Sequence, residues 1–360
     1  IWVAAGIYYP TSTTDRTISF VIPNGVQVLG GFPNTGNPTL VNRNPQANLT
    51  ELSGDIDQNG NSANNSYNII YTKNVDSNTI VDGFTISGGN ADATVASNTP
   101  INRDNSGAAW FNEANSFTDS SPTIRNCKFI NNNASKNGGA MFHEAGAGAK
   151  ANYSLENCEF DNNFSGENGG AIYNLHGGSS SECSPIVVNT NFTGNIASED
   201  GGAIHNNGSF FGEISGSYTD CDFINNTANA TGGAIFNTAF FQGKTNPIYT
   251  QCRFILNTAT IGSGGAISFD ASGNGVANYK ITNCTFDRNI SSVYGGAIYN
   301  RISNNGEIKP VYANCIFKEN ESTYGGATYS IGAFGSNLDV VIANCIFYQN
   351  DGGVGGAIYQ

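Results

Sequence analysis

Charge is what this sequence has least of. Only 12% of its 360 residues are Asp, Glu, Lys or Arg, and it holds one Met and two Trp. Water-facing helices draw on long, unbranched and charged side chains, and no run here repeats apolar residues at helical spacing. No apolar stretch approaches the roughly 18–20 residues that cross a bilayer as a helix, so this segment is not expected to insert directly into a membrane. Cationic residues are scarcer than acidic ones, 15 against 28, which leaves a formal charge of −13 and a pI near 4.5. A surface of that sign repels phosphate backbones and anionic lipid, which argues against nucleic acid as a partner. Divalent cations are its natural counter-species. No signal peptide opens the chain. It starts at Ile1 and stops at Gln360 inside a repeat, so we read it as a piece of a longer or processed protein.

Glycine, by contrast, is abundant, with 45 residues, and it recurs in order. One mark is C-x-F-x-x-N, beginning at Cys127, Cys158, Cys221, Cys252, Cys284, Cys315 and Cys345, with an eighth copy that has Thr190 in the Cys place. A second is G-G-A, usually followed by Ile, beginning at Gly138, Gly169, Gly201, Gly232, Gly264, Gly295, Gly325 and Gly355. A third precedes the cysteine: an apolar residue, any residue, then usually Asn, as in Ile124-Arg-Asn126. Successive copies lie 30–32 residues apart, too short for a domain and suited to one coil of a solenoid.

Parity supplies the coil. Cys and Phe are two apart and share the inner face of a strand. The apolar residue three before Cys has the wrong parity for one flat strand, so the intervening Asn sits at a bend, where Asn tolerates left-handed backbone. Two strands meeting at an Asn corner, a looser turn, and a third strand opening G-G-A-I describe a three-sided coil. Stacking in one direction gives parallel sheets with coils about 4.8 Å apart. Phe then lies over Phe, and Asn amides hydrogen-bond along the stack. We therefore expect an all-β, right-handed parallel β-helix of about nine to eleven coils. Residues 1–76 would be an N-terminal cap with irregular first coils, loop-rich over 33–66, and 77–360 the regular repeats.

The G-G-A-I and F-x-x-N marks resemble the repeats of chlamydial polymorphic outer-membrane proteins. The opening, with "VAAGIY", "GVQVLGGF", "LSGDID" and "VDGFTISGGNA", is similar to secreted pectate-lyase-like β-helix proteins of Bacteroidota. The resemblance implies an exported protein, secreted or associated with the outer membrane of a Gram-negative bacterium, often an adhesin. Chlamydial members also carry a C-terminal barrel that this segment lacks, so an anchoring or secretion domain is expected elsewhere in the full protein.

Four residue sets bear on function. Seven cysteines follow the coil, and with Thr190 substituting they read as small, buried, reduced groups, while Cys183 lies in a loop-like stretch. "DIDQNGN" places Asp55, Asp57, Asn59 and Asn61 as in the first half of a calcium loop, although its twelfth position is Ser66; an Asx-rich turn is the alternative. The place after G-G-A-I holds Phe142, Tyr173, Phe236, Tyr299, Tyr329 and Tyr359, but also His205 and Ser268. This variability suggests an outward aromatic ladder, either holding sugar rings or a protein partner or merely stiffening the sheet. Tyr173, Tyr299, Tyr329 and Tyr359 are the ligand-binding candidates. His143, His176 and His205 have no partners that would make a triad and read as surface or turn residues.

Catalysis on sugars needs clustered carboxylates or a base near calcium. Glu159, Asp161, Asp222 and Asp287 scatter instead. Loops 144–153, 207–217 and 301–309 vary in composition at nearly constant length, as recognition surfaces on rigid scaffolds do. The sequence thus points to a non-catalytic adhesin or display scaffold for a glycan or surface protein. A polysaccharide lyase or glycoside hydrolase, or a passive stalk, are its rivals.

Overall fold

In the computed structural model, which describes residues 1–94, 103–176, 178–333 and 335–360, the chain winds into a parallel β-solenoid. Three sheets hold eleven strands each. Within the coil that begins at Thr123, sheet 1 contributes Thr123–Arg125, sheet 2 Lys128–Ile130 and sheet 4 Met141–Ala145. The looser turn expected before the glycine pair is itself a strand. Asn133–Ala134 and its equivalents pair into sheet 3, with nine strands. The coil therefore has the three main sides expected and a narrow fourth, two residues wide here.

The corners are where the sequence puts left-handed backbone. Asn126, Asn157, Asn189, Asn283, Asn314 and Asn344 all have φ between 47° and 56°. Asp220 and Gln251 hold the same corner at 53° and 57°. A second corner, two residues after Phe, falls on Asn131, Asn162, Asn225, Leu256, Arg288, Glu319 and Gln349. The third is the first glycine of each pair, such as Gly232 at φ 69°. The second glycine answers a different need. A Cβ on Gly233 would lie 2.1 Å from the Gly265 carbonyl oxygen of the next coil, so sheets 3 and 4 close only over a bare backbone.

Inside, like sits over like. Phe129, Phe160, Phe192, Phe223, Phe254, Phe286, Phe317 and Phe347 stack with centroids 4.6–4.9 Å apart and planes within 10°. Burial of each contributes on the order of 1.5–3 kcal/mol. Beside them runs the amide ladder. Asn226 Nδ2 donates to the Phe192 carbonyl and to Asn257 Oδ1, while its Oδ1 accepts from both the backbone N–H and Nδ2 of Asn195. Asn132, Asn163, Asn195, Asn257, Asn289, Asn320 and Asn350 continue it.

The cysteines hold more than volume. Each ladder thiol donates to the carbonyl two residues back at the Asn corner, at 3.1 Å from Cys127 to Arg125 and 3.3 Å from Cys221 to Thr219. Thr190 Oγ1 makes the same bond to Val188 at 3.0 Å, which explains the exchange. Cys183 lies outside the strands, as its loop-like stretch suggested, and is fully buried, its thiol 3.4 Å from the Ala151 carbonyl. The region 33–66 departs from a plain loop: Thr50–Ser53 within it is a strand of sheet 2.

Candidate recognition surface

The aromatic row after G-G-A-I faces outward, as parity requires, but it is covered. Phe111, Phe142 and Tyr173 stack face to face at 5.0 and 5.4 Å. Tyr173 and Tyr329 are each only 6% exposed. The ring faces are spent on neighbours along the rod, and Tyr294 from the preceding turn lies 4.5 Å from the Tyr329 ring and 5.6 Å from that of Tyr299. Of the four tyrosines expected to bind a ligand, Tyr299 is half-buried and Tyr359, in the last coil, is 39% exposed. At Tyr173 and Tyr329 cross-coil stacking occupies the faces a sugar needs, which is the sheet-stiffening alternative.

Asp55, Asp57, Asn59 and Asn61 do come together, in a loop closed by its own donors. The Asp55 carboxylate accepts from the Asn59 and Gly60 backbone N–H groups at 3.2 and 3.1 Å. Asp57 Oδ2 accepts from Asn59 and Asn64 Nδ2, Asn59 Oδ1 from the Asn61 N–H, and Asn61 Oδ1 from the Ala63 N–H. This is the geometry of consecutive Asx turns. Among the described residues, no three or more His, Cys, Asp and Glu side chains gather as a metal site.

All three histidines are buried rather than at the surface. His143 stacks on Tyr153 at 3.6 Å inside the coil, and burial without a partner holds its imidazole down at about 3. His205, in the outward row, is likewise pushed to about 3 by burial. Two coils on, Asp270 is raised to about 6 by burial, with Arg301 3.4 Å away opposing the shift. Asp200, in the turn before Gly201, is raised to about 6 by burial, against the opposing hydrogen bond from the Thr231 N–H. Burial likewise pushes the Cys127 thiol up to about 12.

Sequence reasoning missed two features. One is a second interior amide ladder, Asn174–Asn206–Asn237, with 2.8 Å links; its signal was the Asn after the outward residue in "AIYN", "AIHN" and "AIFN". The other is a ridge of exposed phenylalanines in the turn between sheets 4 and 1. Phe117, Phe210, Phe211 and Phe241 are 82%, 58%, 56% and 57% exposed. All four have positive φ, between 47° and 66°. Phe210 and Phe241 stack at 5.0 Å. A bulky side chain in left-handed backbone costs roughly 1–2 kcal/mol; the row of Phe117 and Phe211 holds Asn274 and Asn305 in other coils, and the adjacent row of Phe210 and Phe241 holds Gly273 and Asn304. No repeated mark falls on this turn, so its strain was invisible before the fold.

Comparisons with curated proteins and with solved structures give no match. A family model does match, over residues 157–175, 189–207, 220–238 and 283–301. Each matched segment opens on a left-handed corner residue, passes through F-x-x-N and G-G-A-I, and ends two residues beyond the outward row. Four coils of this β-solenoid are thus repeats of the Chlamydia polymorphic membrane protein type.

Proposed function

We propose that this chain is the rigid passenger of a protein secreted or displayed at the outer surface of a Gram-negative cell, and that it acts as an adhesin rather than an enzyme. The repeat type supports the surface location, since it is named for membrane proteins. The observation that carries recognition is the phenylalanine ridge. Beyond the Phe210–Phe241 stack, solvent-exposed rings held in a costly backbone conformation add little to the solenoid, and such strain is kept where a partner uses it. The partner is a host or environmental glycan or surface protein.

The test pairs stability with binding. Phe211→Asn and Phe241→Asn should relieve strain and raise the melting temperature, because Asn suits φ > 0. The same variants should weaken binding of the purified chain to glycan arrays or to cells by roughly tenfold or more. Unaltered binding would refute the ridge as the contact. One observation favours the rival reading: burial raises Asp200 and Asp270 on the sheet 4 side to about 6, as the general acid of a glycosidase requires. Release of reducing sugar from a polysaccharide, lost on Asp270→Asn, would overturn the non-catalytic reading.

A further inference from the structure

A polar cleft of about 490 Å³ lies at the corner between sheets 1 and 2, on a side of the coil other than the aromatic ridge. Its floor is the corner ladder: Asn189 Nδ2 donates to Asn157 Oδ1 at 2.7 Å, Asn157 Nδ2 to Asn126 Oδ1 at 3.3 Å, and Asn126 Nδ2 to Asp82 Oδ1 at 2.9 Å. Its flank is the first outward row of sheet 2, with Lys128 and Glu159 paired at 2.8 Å and Asn191 beyond them. The lining spans coils from Gly83 to Asn191, three coil steps, or about 14 Å at the sheet spacing.

One end of the cleft is walled. The loop bearing Arg43, Asn44, Pro45 and Gln46 is clamped over the earlier corner. Arg43 donates to the Gly30 and Asp82 carbonyls at 2.7 and 2.9 Å, and to Asp82 Oδ1 at 2.6 Å. The backbone N–H of Asn44 reaches the Gly31 carbonyl at 2.8 Å. The loop presses so closely that a Cβ on Gly83 would lie 2.7 Å from the Pro45 ring. Arg43 and Asp82 are both largely buried in this clamp, so the wall is fixed rather than draped.

We propose that this cleft binds the end of a neutral oligosaccharide lying along the rod, with its terminal sugar against the Arg43–Gln46 wall. Three features select that chemistry. The lining is rich in carboxamides, which donate and accept together as sugar hydroxyls require, and its volume falls in the range of small-molecule sites. Its charges are already paired, Arg43 with Asp82 and Lys128 with Glu159, so an anionic chain gains little, and the net charge of −13 opposes one. A peptide binds sheets by adding a strand to a free edge. Here each flanking strand pairs with a coil on both sides, as Lys128–Ile130 does with Thr85–Ser87 and Glu159–Asp161, which leaves no edge to extend.

The inference rests on the surface-recognition reading but on different residues, so the two fail separately. The purified chain is tested against an array of short oligosaccharides of glucose, galactose, mannose and N-acetylglucosamine, attached at the reducing end, with the far end free or methylated. Binding is expected to one or more free-ended chains and to be lost on methylation. Gln46→Ala and Asn191→Ala, both exposed and outside the core, should each weaken it roughly tenfold with the melting temperature unchanged. Gln242→Ala, in the turn between sheets 4 and 1, should leave it intact. Binding that ignores Gln46→Ala and Asn191→Ala, or that persists on methylated ends, overturns the proposal. So does an array with no neutral sugar bound, and cell binding lost on Phe211→Asn would then leave the adhesin reading standing.

Discussion

Removing one amide from the middle of the ladder should cost far more than removing one from its end. Asn226→Ala deletes the acceptor of the Asn195 backbone N–H and the donor to the Phe192 carbonyl, both buried. Asn195 Nδ2 keeps its bond to the Phe160 carbonyl, and Asn257 Oδ1 keeps the Asn226 backbone N–H. The Phe192 carbonyl keeps the Ile224 N–H of the sheet ladder, so one group is fully orphaned and three are half-satisfied. At about 1–3 kcal/mol per orphaned buried group, the loss is about 3 kcal/mol. Asn350→Ala breaks the equivalent bonds to Asn320 and Phe317, but in the last, half-exposed coil, where water replaces them, and should cost about 1 kcal/mol. The Asn195→Ala/Asn226→Ala double variant should lose less than the sum, since the singles share a bond. A solenoid need not unfold in one step, so the readout is amide exchange at Asn195 and Thr227 beside the denaturation midpoint. Equal costs for Asn226→Ala and Asn350→Ala would refute the view that buried amide pairing fixes the coil register.

Thr190→Cys should be nearly neutral, whereas Thr190→Val should cost about 1 kcal/mol in a thermal melt through loss of the bond to Val188. A thiol reagent should label native protein at Cys345, the half-exposed member, well before the seven buried cysteines. Gly233→Ala, which drives a Cβ to 2.1 Å from a carbonyl, should fail to give folded protein on expression. Added calcium should leave the melting temperature unchanged, because both Asp55 carboxylate oxygens and Asp57 Oδ2 are engaged by the loop's own donors. Acid should act through opposing groups. His143 and His205, held near 3 from an ordinary 6.5, leave the unfolded chain richer in protons in that window, so stability falls as pH drops through it. Asp200 and Asp270, raised to about 6 from 3.8, do the reverse between those values. Stability should stay level to about pH 4 and then fall by about 1.4 kcal/mol per proton per pH unit. Asp200→Asn with Asp270→Asn should move that onset up to about pH 6, as followed by melting against pH.

Much of the solenoid was legible because the signals were redundant. Eight copies of F-x-x-N and G-G-A put Phe over Phe and Asn over Asn before any coordinate, and parity alone set the corner at Asn126 and its equivalents. The fourth side was not legible. Asn133–Ala134 is two residues wide, too short for alternation to show, and it takes its strand character from pairing with the coils above and below. Burial misled at the histidines for a related reason. Polarity suggests solvent, yet His143 occupies an inward place that other coils give to Asn112 and Asn174, and the register decides.

Periodicity reports what every coil must share, and recognition depends on what coils do not share. The aromatic row after G-G-A-I drew attention because it recurs, and recurrence is what lets Phe111, Phe142 and Tyr173 cover one another. The places open to a partner are departures: phenylalanines at turn positions where other coils carry asparagine or glycine, and a loop at Arg43 with no counterpart among the later described residues. A departure has no pattern to be read from. Its worth appears only when the fold shows that Phe211 stands in left-handed backbone facing water, or that Arg43 clamps a wall across a corner of amides. Replacing Phe211 by Asn, as at Asn274 and Asn305 of that row, should therefore make a better solenoid and a worse adhesin, and a variant that gained stability with binding intact would return the ridge to the scaffold.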